Sequence, residues 1–331
     1  MQFRKFGRTG VVVSSLCLGT GTFGKQTDEA EGLRIFDKAA DAGVNFVDTA
    51  DFYPGGAELP ELGRSEEITG RWLKGKRGRF FLGTKAGYPM GAAAWDKGSS
   101  RKHLLDAIDA SLRRLGTDYV DLYQLHNDDD STPLDETIEA LDTIVRSGKA
   151  RYIGVSNFLA YRLARAIGRQ EALRLYRFVS VQPRYNLLFR EIERELLPLA
   201  GEENLAVTPF NPLAGGLLTD RYRSRENPEK GRFSAEVGQF GATYKARYWH
   251  DREFDTVAKL REIADETGEP LTKLAVAWVL ANPVVTSVIL GASRMDQLTD
   301  TLAATEYSLD PAIKARMDDL SAEYRRGDAT R

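Results

Sequence analysis

Four residues that can exchange protons or carry charge stand out by their positions: Asp48, Tyr53, Lys85 and His126. Asp48, Lys85 and His126 each close an apolar run, and Tyr53 lies five residues after Asp48 in a predicted loop. In a parallel α/β barrel the carboxyl ends of the strands form one face, so residues from successive strand ends meet there. A carboxylate, a phenol, an ammonium and an imidazole brought together could move a proton to or from a carbonyl oxygen. This grouping is a catalytic hypothesis, and the surrounding segments must be able to position it.

Strand-like runs alternate with segments of helical spacing along the chain. The predicted strands are Val13–Leu18, Val44–Val47, Arg79–Thr84, Val120–Leu125, Arg151–Val155, Phe178–Gln182, Ala206–Pro209 and Thr286–Leu290. The predicted helices run from an N-cap at Asp28 to a stop at Ala42-Gly43, and over Ser65–Leu73, Arg101–Leu115, Pro133–Val145, Leu159–Ile167, Arg190–Ala200, Phe254–Thr267, Thr272–Leu280 and Met295–Ala304.

Eight strands that alternate with helices indicate a parallel sheet, because parallel strands need crossover connections. The number of strands and the length of 331 residues favour a closed (β/α)8 TIM barrel. Residues 1–12 lie outside the repeat and predict a short hairpin that caps the bottom of the barrel. We therefore expect residues 1–331 to form a single domain.

The composition excludes several classes of partner. Charged residues make up 28% of the chain and nearly cancel, to a net charge of −2, so neither nucleic acid nor an anionic membrane is expected to bind. The single cysteine, Cys17, cannot form an internal disulfide and fits a buried strand in a reducing compartment. No leader and no apolar run of membrane-spanning length is evident, so we expect a cytoplasmic protein. His103 and His250 lack metal-ligand spacing, and no metal site is expected.

The run from Gly19 to Gly24 offers an alternative fold, because it fits G-x-G-x-x-G after a strand and Asp48 lies 24 residues further on. In an open dinucleotide-binding sheet the helix begins inside that glycine motif. Here residues 24–27 separate the glycines from the predicted helix start near Asp28. The position of the first helix therefore distinguishes a barrel from an open-sheet dehydrogenase.

Four groups of residues form motifs along the chain: Gly43-Val44-Asn45-Phe46-Val47-Asp48-Thr49-Ala50 with Tyr53, Gly63-Arg64-Ser65-Glu66, Gly154-Val155-Ser156-Asn157-Phe158 with Gln182, and Gly291-Ala292-Ser293-Arg294 with Gln297. These motifs resemble those of the aldo-keto reductase family, and the similarity runs in the expected order from about residue 3 to residue 305. The resemblance implies a (β/α)8 barrel that reduces aldehydes or ketones with NAD(P)H. It assigns Tyr53 as general acid/base and Lys85, Asp48 and His126 as its supporting residues.

The residue types suit that chemistry. A tyrosine with a pKa near ~10 exchanges protons poorly at neutral pH, and a neighbouring ammonium such as Lys85 would lower that pKa. Asp48 would hold Lys85, and His126 would orient the substrate oxygen. Taken singly, each residue has a simpler interpretation: Asp48 as a loop cap, Lys85 as a loop lysine, Tyr53 as an exposed aromatic and His126 as a structural histidine.

The resemblance also predicts the cofactor contacts. It places Ser156, Asn157 and Gln182 on the nicotinamide carboxamide and an aromatic ring, Phe210, on its face; Tyr185 is the alternative ring. The main chain of Ala214-Gly215-Gly216-Leu217 could meet the pyrophosphate. The remaining expected contacts are Gly21, Thr22, Asp48, Asn211, Leu213, Gly215, Leu217 and Gly291.

The start of the last barrel helix is expected to bind phosphate through Ser293, Arg294 and Gln297, with help from Arg232 in a long loop. An arginine there suits a 2′-phosphate, which favours NADPH over NADH. Asp300 and Thr301 stand where many relatives carry glutamate and asparagine facing the adenine, so NADH stays open as the alternative.

Substrate choice is expected to depend on the loops 86–100, 127–132 and 219–252. The aromatic residues Phe23, Trp95, Tyr248 and Trp249 are candidates to line the pocket with Tyr53 and His126, or else to hold the loops in place. The leading hypothesis is an NADPH-dependent reductase of a small carbonyl compound, with a keto sugar or cyclic ketone as candidate. The alternatives are a cofactor-binding regulatory protein of the potassium-channel β type and the open-sheet dehydrogenase. The sequence does not indicate the oligomeric state.

Overall fold

The computed structural model describes residues 1–234 and 237–326. Residues 327–331 of the expected domain, and residues 235 and 236 of the long loop, lie outside the described residues. Two short strands, β1 (Phe3–Lys5) and β2 (Val12–Ser14), form an antiparallel hairpin. Eight further strands form one sheet, and each neighbouring pair in it is parallel.

The eight-stranded sheet closes into a barrel. The last strand pairs with the first, and the order then follows the chain. The last two strands of this sheet in chain order meet through single-residue bridges, from Val207 to Val285 and from Phe210 to Ile289. The (β/α)8 prediction is therefore confirmed. The strands are β3 (Leu16–Gly19), β4 (Phe46–Asp48), β5 (Phe81–Ala86), β6 (Val120–Leu125), β7 (Ala150–Ser156), β8 (Phe178–Gln182), β9 (Ala206–Val207) and β10 (Val288–Gly291).

Helices follow the strands around the barrel. They are α1 (Glu29–Asp41), α2 (Arg64–Leu73), α3 (Arg101–Leu115), α4 (Leu134–Arg146), α5 (Ala160–Ala172), α6 (Leu196–Glu202), α7 (Gly238–Tyr248), α8 (Asp251–Thr267), α9 (Leu271–Leu280), α10 (Leu298–Ala303) and α11 (Pro311–Leu320). In the described residues, no helix combines the length and apolar character needed to cross a membrane.

The start of α1 rules out the open dinucleotide-binding sheet. The Asp28 side chain caps this helix by accepting a hydrogen bond from the Glu31 amide at 2.8 Å. The glycines at positions 19–24 thus end before the helix begins, with Phe23 and Thr27 bridged to each other in the intervening turn. The glycine motif lies in a loop at the mouth of the barrel.

The hairpin closes the opposite end. Phe6, in the turn between β1 and β2, is fully buried, with its ring centroid 5.8 Å from that of Phe46 and 4.9 Å from that of Phe81. Those two residues begin β4 and β5, so Phe6 plugs the amino-terminal end of the barrel. The predicted strand Val13–Leu18 is in fact divided, because Val13 pairs in the hairpin and Leu16 begins the barrel.

Candidate active site

Three adjacent strands position the predicted catalytic side chains. Asp48 ends β4, Lys85 is the penultimate residue of β5, and His126 directly follows β6. The register places Asp48 opposite Gly83, two residues before Lys85, and Lys85 opposite Gln124, two residues before His126. The three side chains therefore converge on one face of the barrel, as the spacing predicted.

Lys85 and Asp48 form a fully buried ion pair. Lys85 Nζ donates to Asp48 Oδ2 at 2.6 Å and to the Thr49 carbonyl at 2.7 Å. The second carboxylate oxygen accepts from the amides of Gln124 at 3.2 Å and Gln182 at 3.0 Å. Burial lowers the pKa of Lys85, but the charges of Asp48 and Tyr53 outweigh it and leave that pKa above its usual value. Lys85 is thus a fixed, permanently protonated ammonium.

Tyr53 lies beside this ammonium at the mouth of the barrel. Lys85 Nζ is 4.9 Å from the centroid of the phenol ring. Burial raises the pKa of Tyr53 above its usual value, and the positive charge of Lys85 only partly opposes this. The expected net lowering is therefore not seen in the protein alone, because removal of the phenol from water is the larger effect. Tyr53 keeps its proton at neutral pH.

His126 completes the group of four residues, called the tetrad below. Its ring centroid lies 5.5 Å from that of Tyr53, nearly perpendicular at 82°. Burial and the charge of Lys85 hold the pKa of His126 well below its usual range, so the imidazole is neutral. Its Nδ1 is buried and has no hydrogen-bond partner among the described residues. A neutral imidazole offers one donor and one acceptor to a substrate.

A cleft of about 1990 Å³ opens over the tetrad. Nearly all of the predicted cofactor residues line it, and Leu217 is the exception because its side chain is fully buried in the core. Those that line it are Gly21, Thr22, Asp48, Ser156, Asn157, Gln182, Phe210, Asn211, Leu213, Gly215, Arg232, Gly291, Ser293, Arg294 and Gln297.

Ser156, Asn157 and Gln182, the residues predicted to bind a carboxamide, lie beside the tetrad and are linked to one another. Ser156 Oγ donates to the Gln182 carbonyl at 2.9 Å, and Asn157 Nδ2 donates to Ser156 Oγ at 3.1 Å and to the His126 carbonyl at 2.9 Å. This network ties the amide and hydroxyl groups to the residue that follows β6. Phe210 supplies an aromatic ring in the same cleft, whereas Tyr185 is buried against Trp278 and donates its hydroxyl to Glu193. Phe210 is therefore the better candidate for stacking.

The predicted phosphate end is less regular than expected. A 3-10 turn, Met295–Gln297, precedes the short helix α10. Gln297 Oε1 accepts from the Ser293 amide at 2.9 Å, so these two polar groups partly satisfy each other. Arg294 is exposed and donates to both carboxylate oxygens of Asp296 at 3.1 Å. An exposed pair of this kind is weak, so the guanidinium can exchange Asp296 for a phosphate.

Helix α7 spans the cleft and was not predicted. Phe240 packs over Gly55 and Gly56 in the loop after Tyr53, since a Cβ at Gly55 would meet its ring at 3.0 Å. Tyr244 packs against Gly215 on the other side, where a Cβ would meet its ring at 2.7 Å. The spacing of Phe240, Tyr244 and Tyr248 at every fourth residue was a helical signal. Gly238 and Gly241, which are poor helix formers, obscured it.

Most of the aromatic residues predicted for the substrate pocket lie elsewhere. Phe23 is fully buried against Phe36 at 5.1 Å, and Trp95 is 57% exposed outside the cleft. Tyr248 is fully buried, its hydroxyl bonded to Asn186 and Asn211, and Trp249 packs on Phe233 and Phe254. Phe23, Tyr248 and Trp249 thus pack within the protein, and Trp95 lies on the surface. The rings that do line the cleft near Tyr53 include Phe52, Tyr88, Phe240 and Tyr244.

The sequence profile of the Aldo/keto reductase family matches residues 15–322 of this chain. The chain belongs to the aldo/keto reductase family. Among relatives of this aldo-keto reductase, "Uncharacterized oxidoreductase YrpG" of Bacillus subtilis is 38% identical, over 97% of this chain and 96% of its own length. "Probable voltage-gated potassium channel subunit beta" of Arabidopsis thaliana is 38% identical, over 92% of each chain. "L-glyceraldehyde 3-phosphate reductase" of Escherichia coli is 34% identical, over 92% of this chain and 87% of its own.

Proposed function

We propose that this aldo-keto reductase reduces aldehydes or ketones with NADPH. One observation carries the proposal: the buried Lys85–Asp48 pair lies directly beside Tyr53, at the mouth of a cleft of about 1990 Å³. A buried charge pair is costly to maintain, and a pair aimed at a protonated phenol has an evident use in catalysis.

The residues divide the chemistry between them. A bound reduced nicotinamide supplies hydride to the carbonyl carbon. Tyr53 donates its proton to the carbonyl oxygen, and the Lys85 ammonium stabilises the resulting phenolate. Neutral His126 hydrogen-bonds the same oxygen and orients it. Asp48, fixed by Gln124 and Gln182, keeps Lys85 in place.

The proposed cofactor contacts follow the order of the cleft. Ser156, Asn157 and Gln182 would hold the carboxamide, and Phe210 would stack on the nicotinamide ring. Arg294 and Arg232 line the cleft and supply positive charge for the phosphates, which favours NADPH, with NADH as the alternative. We further infer that residues 1–331 act as one domain in the cytoplasm, where the buried thiol of Cys17 stays reduced.

Aldehydes are the first substrates to test, because one relative is named for an aldehyde phosphate. Keto sugars and cyclic ketones stay candidates, since Phe52, Tyr88 and Tyr244 offer ring faces to a ring-shaped molecule.

A cofactor-binding regulatory subunit is the second candidate function. Plant relatives named as potassium channel β subunits cover 92% of this chain at 38% and 36% identity. Such a protein would bind the cofactor, turn over slowly and form a stable complex with another protein.

A cofactor-oxidation screen distinguishes the reductase from the regulatory subunit. Purified protein is incubated with NADPH or NADH and a panel of aldehydes, cyclic ketones and keto sugars. We expect steady oxidation of NADPH with at least one carbonyl and slower oxidation of NADH. Tight cofactor binding without turnover on any carbonyl would contradict the reductase and favour the regulatory subunit.

A further inference from the structure

Arg247 is an arginine without an acidic partner at the mouth of the cleft. It lies in α7 and lines the same cleft as Tyr53 and His126. Its Nε is buried and unbonded, and within residues 1–234 and 237–326 no carboxylate pairs with it. Arg225 shows the usual alternative, because it pairs with both Asp251 and Asp255. A half-buried guanidinium that no acid neutralises is suited to an anion from outside the protein.

Tyr88 connects this arginine to the tetrad. Its ring centroid lies 4.6 Å from that of His126 and 4.9 Å from that of Phe52. Burial raises the pKa of Tyr88, and the charges that oppose this are Arg247 and Lys85. Both are cationic, and among the described residues no acid acts on this hydroxyl. Tyr88 therefore presents a protonated hydroxyl beside His126, in the cleft that Arg247 also lines.

Arg184 adds a further positive charge on the same side. It is buried, and its guanidinium carbon lies 3.6 Å from the centroid of Phe189 and 5.7 Å from that of Tyr248. Arg184 and Arg247 line the same cleft, and the charge of Arg247 adds to the main effect of burial in lowering the pKa of Arg184. Positive charges brought together in a cleft with apolar walls raise the local potential for an anion.

We propose that Arg247 and Tyr88 form an anion subsite that selects aldehydes carrying a carboxylate or phosphate group away from the carbonyl. The subsite rests on the proposed reductase function, since it places the substrate's other end relative to Tyr53. The planar guanidinium takes two oxygens of the anion, and the Tyr88 hydroxyl donates to one of them. Carboxylate and phosphate groups can both bind a guanidinium through two oxygens. Separate carboxylated and phosphorylated substrates, each compared with a neutral one, distinguish the two anions.

Paired substrates measure the selectivity. Succinic semialdehyde is compared with butanal, and glycolaldehyde phosphate with glycolaldehyde, each pair as a ratio of kcat/KM. We expect at least one ratio to be on the order of tenfold or more in the wild-type protein, to fall about tenfold in Arg247→Met and to recover partly in Arg247→Lys. Lys245→Met is the matched control, because Lys245 lies in the same helix and bonds Asn227 outside the cleft. Neutral aldehydes turned over as well as both anionic ones would overturn the subsite while leaving the reductase intact.

A binding measurement tests the anion subsite even if the protein turns over none of these substrates. The NADP⁺-loaded protein is titrated calorimetrically with 4-hydroxybutyrate, with glycolate phosphorylated on its hydroxyl, and with 1-butanol. Tighter binding of an anionic compound, lost in Arg247→Met and kept in Lys245→Met, supports the subsite even if the reductase proposal fails. Equal binding of all three compounds, or equal binding by both variants, contradicts it.

Discussion

The Lys85–Asp48 pair links the stability of the barrel to the chemistry at its mouth. Both groups are buried, and each is compensated mainly by the other. Replacing one member leaves an unpaired charge in a medium that solvates it poorly, whereas replacing both leaves none.

A double-mutant comparison should show this dependence. We expect Lys85→Met to lower the free energy of unfolding by about 3–5 kcal/mol, because Asp48 is left unpaired. The double variant Lys85→Met/Asp48→Asn should recover much of that loss while staying inactive. Urea unfolding of the wild-type protein and the two variants measures these free energies of unfolding. A double variant less stable than Lys85→Met would contradict the account.

The pH dependence of activity should reflect a neutral His126 and a protonated Tyr53. Because the pKa of His126 is held well below 6.5 and that of Tyr53 lies above 10, kcat/KM for reduction should be flat from about pH 6 to about pH 9. Alcohol oxidation needs the phenolate and should rise with pH over the same range. A decline in reduction near pH 6.5 that is absent in His126→Gln would show that the imidazole titrates there.

The grouping of the tetrad could be predicted because strand ends are readable from apolar runs. The direction in which the pKa of Tyr53 shifts could not be predicted, because it depends on how deeply the phenol is buried. For the same reason, sequence placed Phe23 and Tyr248 at the pocket, although both point into the core.

At the scale of elements, α7 lines the cleft and packs on the loops around it. Through Phe240 and Tyr244 it rests on glycines from two different loops, at Gly55 and Gly215. Gly215 has a φ of 72°, and a side chain there would also strike Tyr244. Its glycine is therefore required by helix packing, in addition to any close approach of a phosphate.

Two glycine variants separate the effect of backbone strain from the effect of displacing Tyr244. Gly215→Ala should weaken cofactor binding and expose α7 to proteolysis, because it combines a left-handed backbone penalty of about 1 kcal/mol with displacement of Tyr244. Gly238→Ala carries a similar φ of 53° with no atoms within 4 Å of the new Cβ, so it should show only the backbone penalty. Equal effects of the two substitutions on cofactor affinity, measured by fluorescence titration, would show that the Tyr244 contact is unimportant.

At the scale of the whole molecule, the barrel is closed at its amino-terminal end and around its circumference. The hairpin places Phe6 against Phe46 and Phe81, and bridges between the last two strands complete the ring of hydrogen bonds. The eight-strand repeat was predictable because each strand is an apolar run followed by a helix. Closure of the barrel was predicted from the number of strands, but the single bridges by which β9 and β10 meet were not. Helix α11 was missed because it follows the last barrel unit.

Removing the plug should destabilise the whole barrel. Phe6→Ala is expected to lower the free energy of unfolding by about 3–5 kcal/mol, because it leaves a cavity among packed rings. Phe3→Ala is the control, since Phe3 is 53% exposed and its loss should cost little. Thermal and urea unfolding compare the two, and a Phe6→Ala protein as stable as Phe3→Ala would mean that the hairpin does not support the barrel.

The most direct test of the account is Tyr53→Phe, which removes one hydroxyl and keeps the ring beside Lys85. Carbonyl reduction should fall by about 10²-fold or more, because the proton donor is lost. NADPH affinity should change little, since the proposed cofactor contacts remain. Single-turnover reduction measured together with cofactor titration gives both values. Turnover near the wild-type rate in Tyr53→Phe would contradict the assignment of Tyr53 as the acid.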